Sequence, residues 1–141
     1  MKRKLCALLL LTVLVAGCTA GREFRRGRDA ARSGDWDAAV QHYTAALQAN
    51  PDNAEYKIEL ERAMQNAARE HITRARDLEA KDQLDAALLE YKKAVEMDST
   101  NRLAAARAVE LERIIRDRIE ASRPKPAIER LRQQARAQGA P

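Results

Sequence analysis

One stretch of this chain occurs twice. The run from Gly34 to Asn53 returns as the run from Asp82 to Asn101, with every correspondence at the same 48-residue offset. Ala39 answers to Ala87, Tyr43 to Tyr91, Ala46 to Ala94 and Asn53 to Asn101. The paired alanines remove side-chain bulk where two antiparallel helices must approach closely, and the tyrosine fills the gap beside them. Gly34 permits the tight turn ahead of the first copy, and Trp36 follows it at the helix start. Pro51 cannot continue a helix and pushes the residue before it out of the helical region, so that helix stops at or just before Asn50. The second copy has Asp82 in place of the glycine and Ser99 in place of the proline, which weakens the punctuation and leaves the packing positions intact.

The rest of the composition agrees with helical hairpins. A 45% hydrophobic share with only 4% aromatics, in 141 residues, supports one modest core rich in Ala and Leu. With 5 Gly, 4 Pro and a third of the residues charged, the chain suits long solvated helices. No segment alternates apolar and polar residues with the β-branched enrichment of a strand. The expected fold class is therefore all-α.

These residues resemble the tetratricopeptide repeat: a Gly-Asp-aromatic turn, small residues at Ala39 and Ala46, Tyr43 and Leu47 as the large ones, and Pro51-Asp52-Asn53 at the close. The resemblance assigns repeat packing to Gly34, Trp36, Ala39, Tyr43, Ala46 and Pro51, and to Ala87, Tyr91 and Ala94 in the second copy. It also makes Arg22 to Ser33 the first helix of the first repeat, with Gly27 on the family's first glycine and Phe24 near its usual tryptophan. A tandem array has a period of about 34 residues, so the 48-residue offset leaves 14 over, about four helical turns. The surplus falls in a stretch from Ala54 to roughly Ala80, capped by Asn53, with Leu60, Ala63, Met64, Ala67, Ala75 and Leu78 as an apolar stripe. At 1.5 Å per residue it is about 40 Å long. Two hairpins joined by this shared helix are expected, in place of a tight superhelix. Asn101 opens a third long helix to about Ser122, with Ala104, Ala108, Leu111, Ile115 and Ile119 on the face turned to the helix from Leu84 to Met97. Arg123-Pro124-Lys125-Pro126 breaks it, and residues 123–141 read as a basic linker or tail.

The N-terminus has a different character. Lys2-Arg3-Lys4 leads an apolar run from Leu5 to Val15, closed by Ala16, Gly17 and Cys18. The run is shorter than the roughly twenty residues needed to span a bilayer. It resembles the lipobox of bacterial lipoprotein precursors, which implies removal of residues 1–17, acylation of Cys18 and a lipidated linker over residues 18–21 before the helical domain of residues 22–122. The only other cysteine, Cys6, lies in the leader, so the mature chain has no thiol pair for a disulfide or a metal site. Three of the 26 Lys and Arg also go with the leader, which holds no acids, so the formal charge falls from +5 to +2. Thr19 after the cysteine, where aspartate marks inner-membrane retention in enteric bacteria, leans the address towards the outer membrane.

Catalytic constellations are missing from the sequence. His42 and His71 lie on separate helices with no ligand-spaced neighbours, and read as surface or half-buried helical residues. Acid pairs such as Glu59 and Glu61 stand two apart and point to different helix faces. The basic segment from Arg113 to Arg136 has no aromatic residue for base stacking. The expectation is a non-enzyme with no cofactor, no metal, no small-molecule substrate and no nucleic acid.

Repeat hairpins expose a concave face made by the first helix of each pair, and such faces take peptides or helices of other proteins. Here that face maps to Phe24, Arg28 and Arg32 in the first hairpin and Ile72, Arg76 and Glu79 in the second. The peptide-carboxylate clamp of some family members has asparagine at the places of Arg28 and Arg76, so a basic groove for an acidic or helical partner is the expectation instead. The order of lipobox, hairpin, overlong helix, hairpin, long helix and Pro-bearing tail is also similar to the N-terminal region of secretin-type outer-membrane proteins of type II secretion or type IV pilus systems. It implies secretin or other secretion and pilus components as partners. Both an independent lipoprotein and a piece of a longer secretin-like protein fit this layout. Two other functions fit as well: a scaffold of an outer-membrane or peptidoglycan complex, and an anionic-lipid surface module working through Arg22, Arg25, Arg26, Arg28 and Arg32.

Overall fold

The computed structural model describes residues 19–123, 127–137 and Gly139. The leader of residues 1–17 and Cys18 lie outside the described residues. All regular structure among the described residues is helical: α1 (19–33), α2 (Trp36–Ala49), α3 (Ala54–Ala80), α4 (Leu84–Met97), α5 (Arg102–Ser122) and α6 (Ala127–Ala137).

Short polar signals set the boundaries. Gly34 takes the left-handed conformation at φ +80°, and Asp35 caps α2 by accepting from the Ala38 amide at 3.0 Å. Asn50 ends α2, one residue before Pro51. Asn53 and Asn101 cap α3 and α5, accepting from the amides of Tyr56 at 3.2 Å and Ala104 at 3.0 Å. The turn into α4 lacks a glycine, so Asp82 itself adopts φ +57° while the Lys81 and Gln83 amides return to the Leu78 carbonyl at 3.1 and 2.9 Å.

The long helix α3 carries both hairpins. Its first half packs on α2 and α1 in a cluster of Ala20, Phe24, Ala39, Tyr43, Ala46, Tyr56 and Ala63. Its second half packs on α4, and α4 on α5, in a cluster of Ala75, Ala87, Tyr91, Ala94, Ala104, Ala108 and Leu111. Ala39, Ala46, Ala87 and Ala94 are wholly buried, as helices in close approach require. Trp36 packs half-buried on the first cluster. Gly27 is buried for the same reason in a sharper form: a Cβ there would lie 2.6 Å from the Tyr43 ring. Between the clusters, Ala67, Ala68 and His71 are buried on the stretch of α3 that holds the surplus turns.

Three expectations need correction. Residues 19–21 are helical and Ala20 is buried, so α1 extends into the stretch read as a linker; a small residue there packs and does not merely space. His71 is only 1% exposed, because carboxylates on two other helices enclose it. Ile119, expected on the packed face of α5, is exposed beyond the end of the cluster. In the segment read as a tail, α6 is helical, and its described side chains are exposed.

Candidate protein-binding face

The first helix of each hairpin, α1 and the second half of α3, presents equivalent positions. Arg28 and Arg76 are both exposed, and among the described residues neither has an ion-pair partner. The Arg28 guanidinium lies 5.8 Å over the Phe24 ring, a cation–π distance. Arg32 is exposed beside them and pairs with Asp29 at 3.3 Å, a contact between two solvated side chains that is easily exchanged.

Three of the expected groove residues do other work. Phe24 is 8% exposed: its ring stacks on Tyr56 at 4.6 Å and meets Tyr43 at 5.4 Å, so it belongs to the first core and not to an open surface. Ile72 is half-buried against the second cluster. Glu79 is held from within. It accepts from the Tyr91 hydroxyl at 2.8 Å and from Arg107 Nε at 2.7 Å, and Arg107 Nη2 also grips it. The Arg107 guanidinium and the Tyr91 hydroxyl hold the Glu79 carboxyl below the usual carboxylate range, against the effect of burial. Burial first, and then the Glu79 charge, push the Tyr91 hydroxyl up.

What the face gains is Arg62, which the sequence did not single out. It extends from the first half of α3, pairs with Glu59 at 3.0 Å, and with Arg28 and Arg32 lines a recess of about 260 Å3 over Ala31 and Tyr43. No local signal marks it, since its relation to α1 arises only when α3 packs back on the first hairpin. The arrangement supplies guanidinium donors around a tyrosine hydroxyl, a geometry suited to anionic side chains.

On the other side of α3, His71 ties the hairpins together. Its Nε2 lies 3.0 Å from Asp37 on α2, and its Nδ1 lies 2.8 Å from both Glu90 on α4 and Arg74 Nη2. With Nε2 donating to Asp37, a protonated Nδ1 donates to Glu90 and a bare one accepts from Arg74. Burial raises the Glu90 carboxyl, but bonds from His71 and Lys93 outweigh it and leave it lowered.

Residues 23–53 match the family model described as Tetratricopeptide repeat, a stretch that takes in most of α1, all of α2 and the cap of α3. No curated protein matches the chain. Among solved structures, the Arabidopsis OM64 TPR domain is similar at 18% identity and a TM-score of 0.33, covering 70% of this chain and 98% of that one. Among the described residues the fold is all-α and built of helical hairpins, the first of which carries the match to the tetratricopeptide repeat model.

Proposed function

We propose that this chain is a non-catalytic, lipid-anchored protein of the bacterial envelope that binds an acidic protein partner through its basic face, as part of a secretin-type secretion or pilus assembly. The observation that carries the binding reading is the unpaired state of Arg28 and Arg76 at equivalent places of the two hairpins, where most neighbouring arginines have carboxylate partners. Exposed, unneutralised guanidinium groups on one face attract carboxylates and fix their orientation. The anchor reading rests on the leader, on the small residues before Cys18, and on the apolar run being too short to span a bilayer. Among the described residues no helix is long and apolar enough to cross a membrane.

The test is affinity capture from detergent-solubilised envelopes with the full chain, with Cys18→Ala, and with Arg28→Glu combined with Arg76→Glu. Secretin or pilus components should come down with the acylated chain and be lost with the double arginine variant, whose helicity stays intact. Peptidoglycan enzymes or outer-membrane assembly factors in their place would move the protein to another machine. Capture unchanged by the arginine substitutions would sink the basic-face reading.

A further inference from the structure

The two hairpins correspond position by position, so each serves as a template for the other. In the second, Tyr91 donates its hydroxyl to Glu79, Arg107 grips the same carboxylate, and Arg76 adds its charge nearby. Forty-eight residues earlier, Tyr43 stands for Tyr91 and Arg28 for Arg76, but Ala31 stands for Glu79 and Glu59 for Arg107. The first hairpin has therefore kept the tyrosine and one of the two arginines, leaves the place of Glu79 without a carboxylate, and carries an acid, Glu59, at the place of Arg107.

Each consequence of that loss is visible. Among the described residues, the Tyr43 hydroxyl has no hydrogen-bond partner, although the side chain is otherwise buried. The space over Ala31 is open as the recess of about 260 Å3. Arg28 and Arg32 reach it from α1 and Arg62 from α3, replacing the single arginine that α5 supplies in the second hairpin. Against these three cations the lining holds one acid, Glu59, already paired with Arg62.

We propose that this recess seats one carboxylate from an aspartate or glutamate side chain of a protein partner, in the place that Glu79 occupies in the second hairpin. The inference rests on the acidic-partner reading of this face and assigns it a specific contact. The seat lies one helical turn beyond Arg28, at Ala31 and Tyr43. A carboxylate is the matching ligand because three guanidinium groups and the Tyr43 side chain line the recess against one acid, Glu59, which Arg62 already pairs, whereas the second hairpin fills the corresponding place with Glu79.

Fluorescence anisotropy on the full chain tests this with a labelled peptide of five Ser-Glu repeats, acetylated and amidated. The Ser-Gln peptide with an amidated end, the same peptide with a free C-terminal carboxylate, and a phosphoserine peptide are the other arms. The wild-type chain should prefer the glutamate peptide to both glutamine peptides and to the phosphopeptide. Ala31→Glu places a carboxylate in the seat from within, and should raise the Tm while weakening the glutamate peptide about tenfold or more. Tyr43→Phe should weaken it several-fold without lowering the Tm, since that hydroxyl has no partner to lose, whereas Tyr91→Phe should lower the Tm. Equal binding of the glutamate and glutamine peptides, or full binding by Ala31→Glu, would overturn the seat. Tightest binding of the free C-terminus or of the phosphopeptide would overturn its assignment to an acidic side chain. If the envelope partner is captured through Arg28 and Arg76 but Ala31→Glu changes nothing, the seat fails and the proposed function stands. If Ala31→Glu abolishes peptide binding while the double arginine variant still captures its partner, the seat stands and the basic-face reading fails.

Discussion

His71 on α3 pairs with Glu90 on α4 at 2.8 Å, and the first hairpin holds the same pair with its ends exchanged, Glu23 on α1 with His42 on α2, also at 2.8 Å. The positions correspond at the 48-residue offset, so what the hairpin needs at this level is one acid and one imidazole across the helix pair, in either order. The two pairs differ in surroundings. The His71 side chain is 2% exposed and also meets Asp37, while that of His42 is 35% exposed and, among the described residues, pairs with Glu23 alone. His71→Ala removes one of the donors to the half-buried Glu90, with Arg74 and Lys93 remaining, and breaks the contact with Asp37, and should cost about 1–3 kcal/mol by urea denaturation. His42→Ala should cost a small fraction of that. The exchange Glu23→His with His42→Glu should be tolerated, whereas His71→Glu with Glu90→His should stay destabilised, because Asp37 would then face a carboxylate. Equal tolerance of the two exchanges would remove Asp37 from the account.

Gly27 tests the closeness of α1 and α2. On an exposed helix, Gly→Ala stabilises by about 1 kcal/mol. Here the added methyl would lie 2.6 and 2.7 Å from Tyr43 ring carbons, in a ring confined by Phe24 and Ala39. Gly27→Ala should therefore destabilise by about 1–3 kcal/mol in urea unfolding. Gly27→Ala with Tyr43→Leu should recover part of the loss; failure to do so would place the strain elsewhere.

The readable features were those set by local chemistry. The bounds of α3, from the Asn53 cap to Ala80, and the start of α5 at Asn101 follow from caps, punctuation and small residues at fixed spacing. The misread features depend on partners distant in the chain. Phe24 looked exposed because its stacking partner Tyr56 comes from the next hairpin's helix. Glu79 looked like a groove residue because Arg107, which neutralises it, lies on α5. His71 gave no local sign, its acids being Asp37 and Glu90 on two other helices. Arg62 escaped notice for the same reason.

Glu79 makes stability depend on acid. Arg107 and Tyr91 lower its carboxyl in the folded chain, so the stabilisation is fully present above the unfolded value of about 4.3 and is lost as pH falls through the lower folded value. Glu79→Gln cannot ionise, so it should be less stable than the wild type at pH 7. The gap should close as pH falls from about 5 to below 4.3. Urea midpoints of both proteins at pH 7 and in this acid range decide the matter; a gap independent of pH would mean that packing, and not charge, holds Glu79.

Asp82 occupies the turn position that Gly34 holds in the first hairpin, with a side chain in a backbone region that favours glycine. It is compensated by Arg118, whose two Nη atoms donate to its carboxylate at 3.0 and 2.9 Å and hold the Asp82 carboxyl below the usual range. Two effects therefore oppose each other at one residue, and substitutions separate them. Arg118→Ala loses the pair and keeps the strained aspartate. Asp82→Gly loses the pair and relieves the strain, so its Tm should lie above that of Arg118→Ala and near the wild type. Asp82→Ala loses the pair and retains the left-handed backbone without a side chain that tolerates it, so its Tm should be the lowest. Added salt weakens the exposed ion pair and leaves the backbone term alone. The difference between Asp82→Gly and Asp82→Ala should thus persist in high salt, while that between the wild type and Arg118→Ala shrinks. Thermal unfolding at low and high sodium chloride reads both, and equal stability of the glycine and alanine variants would show that φ +57° costs this turn nothing.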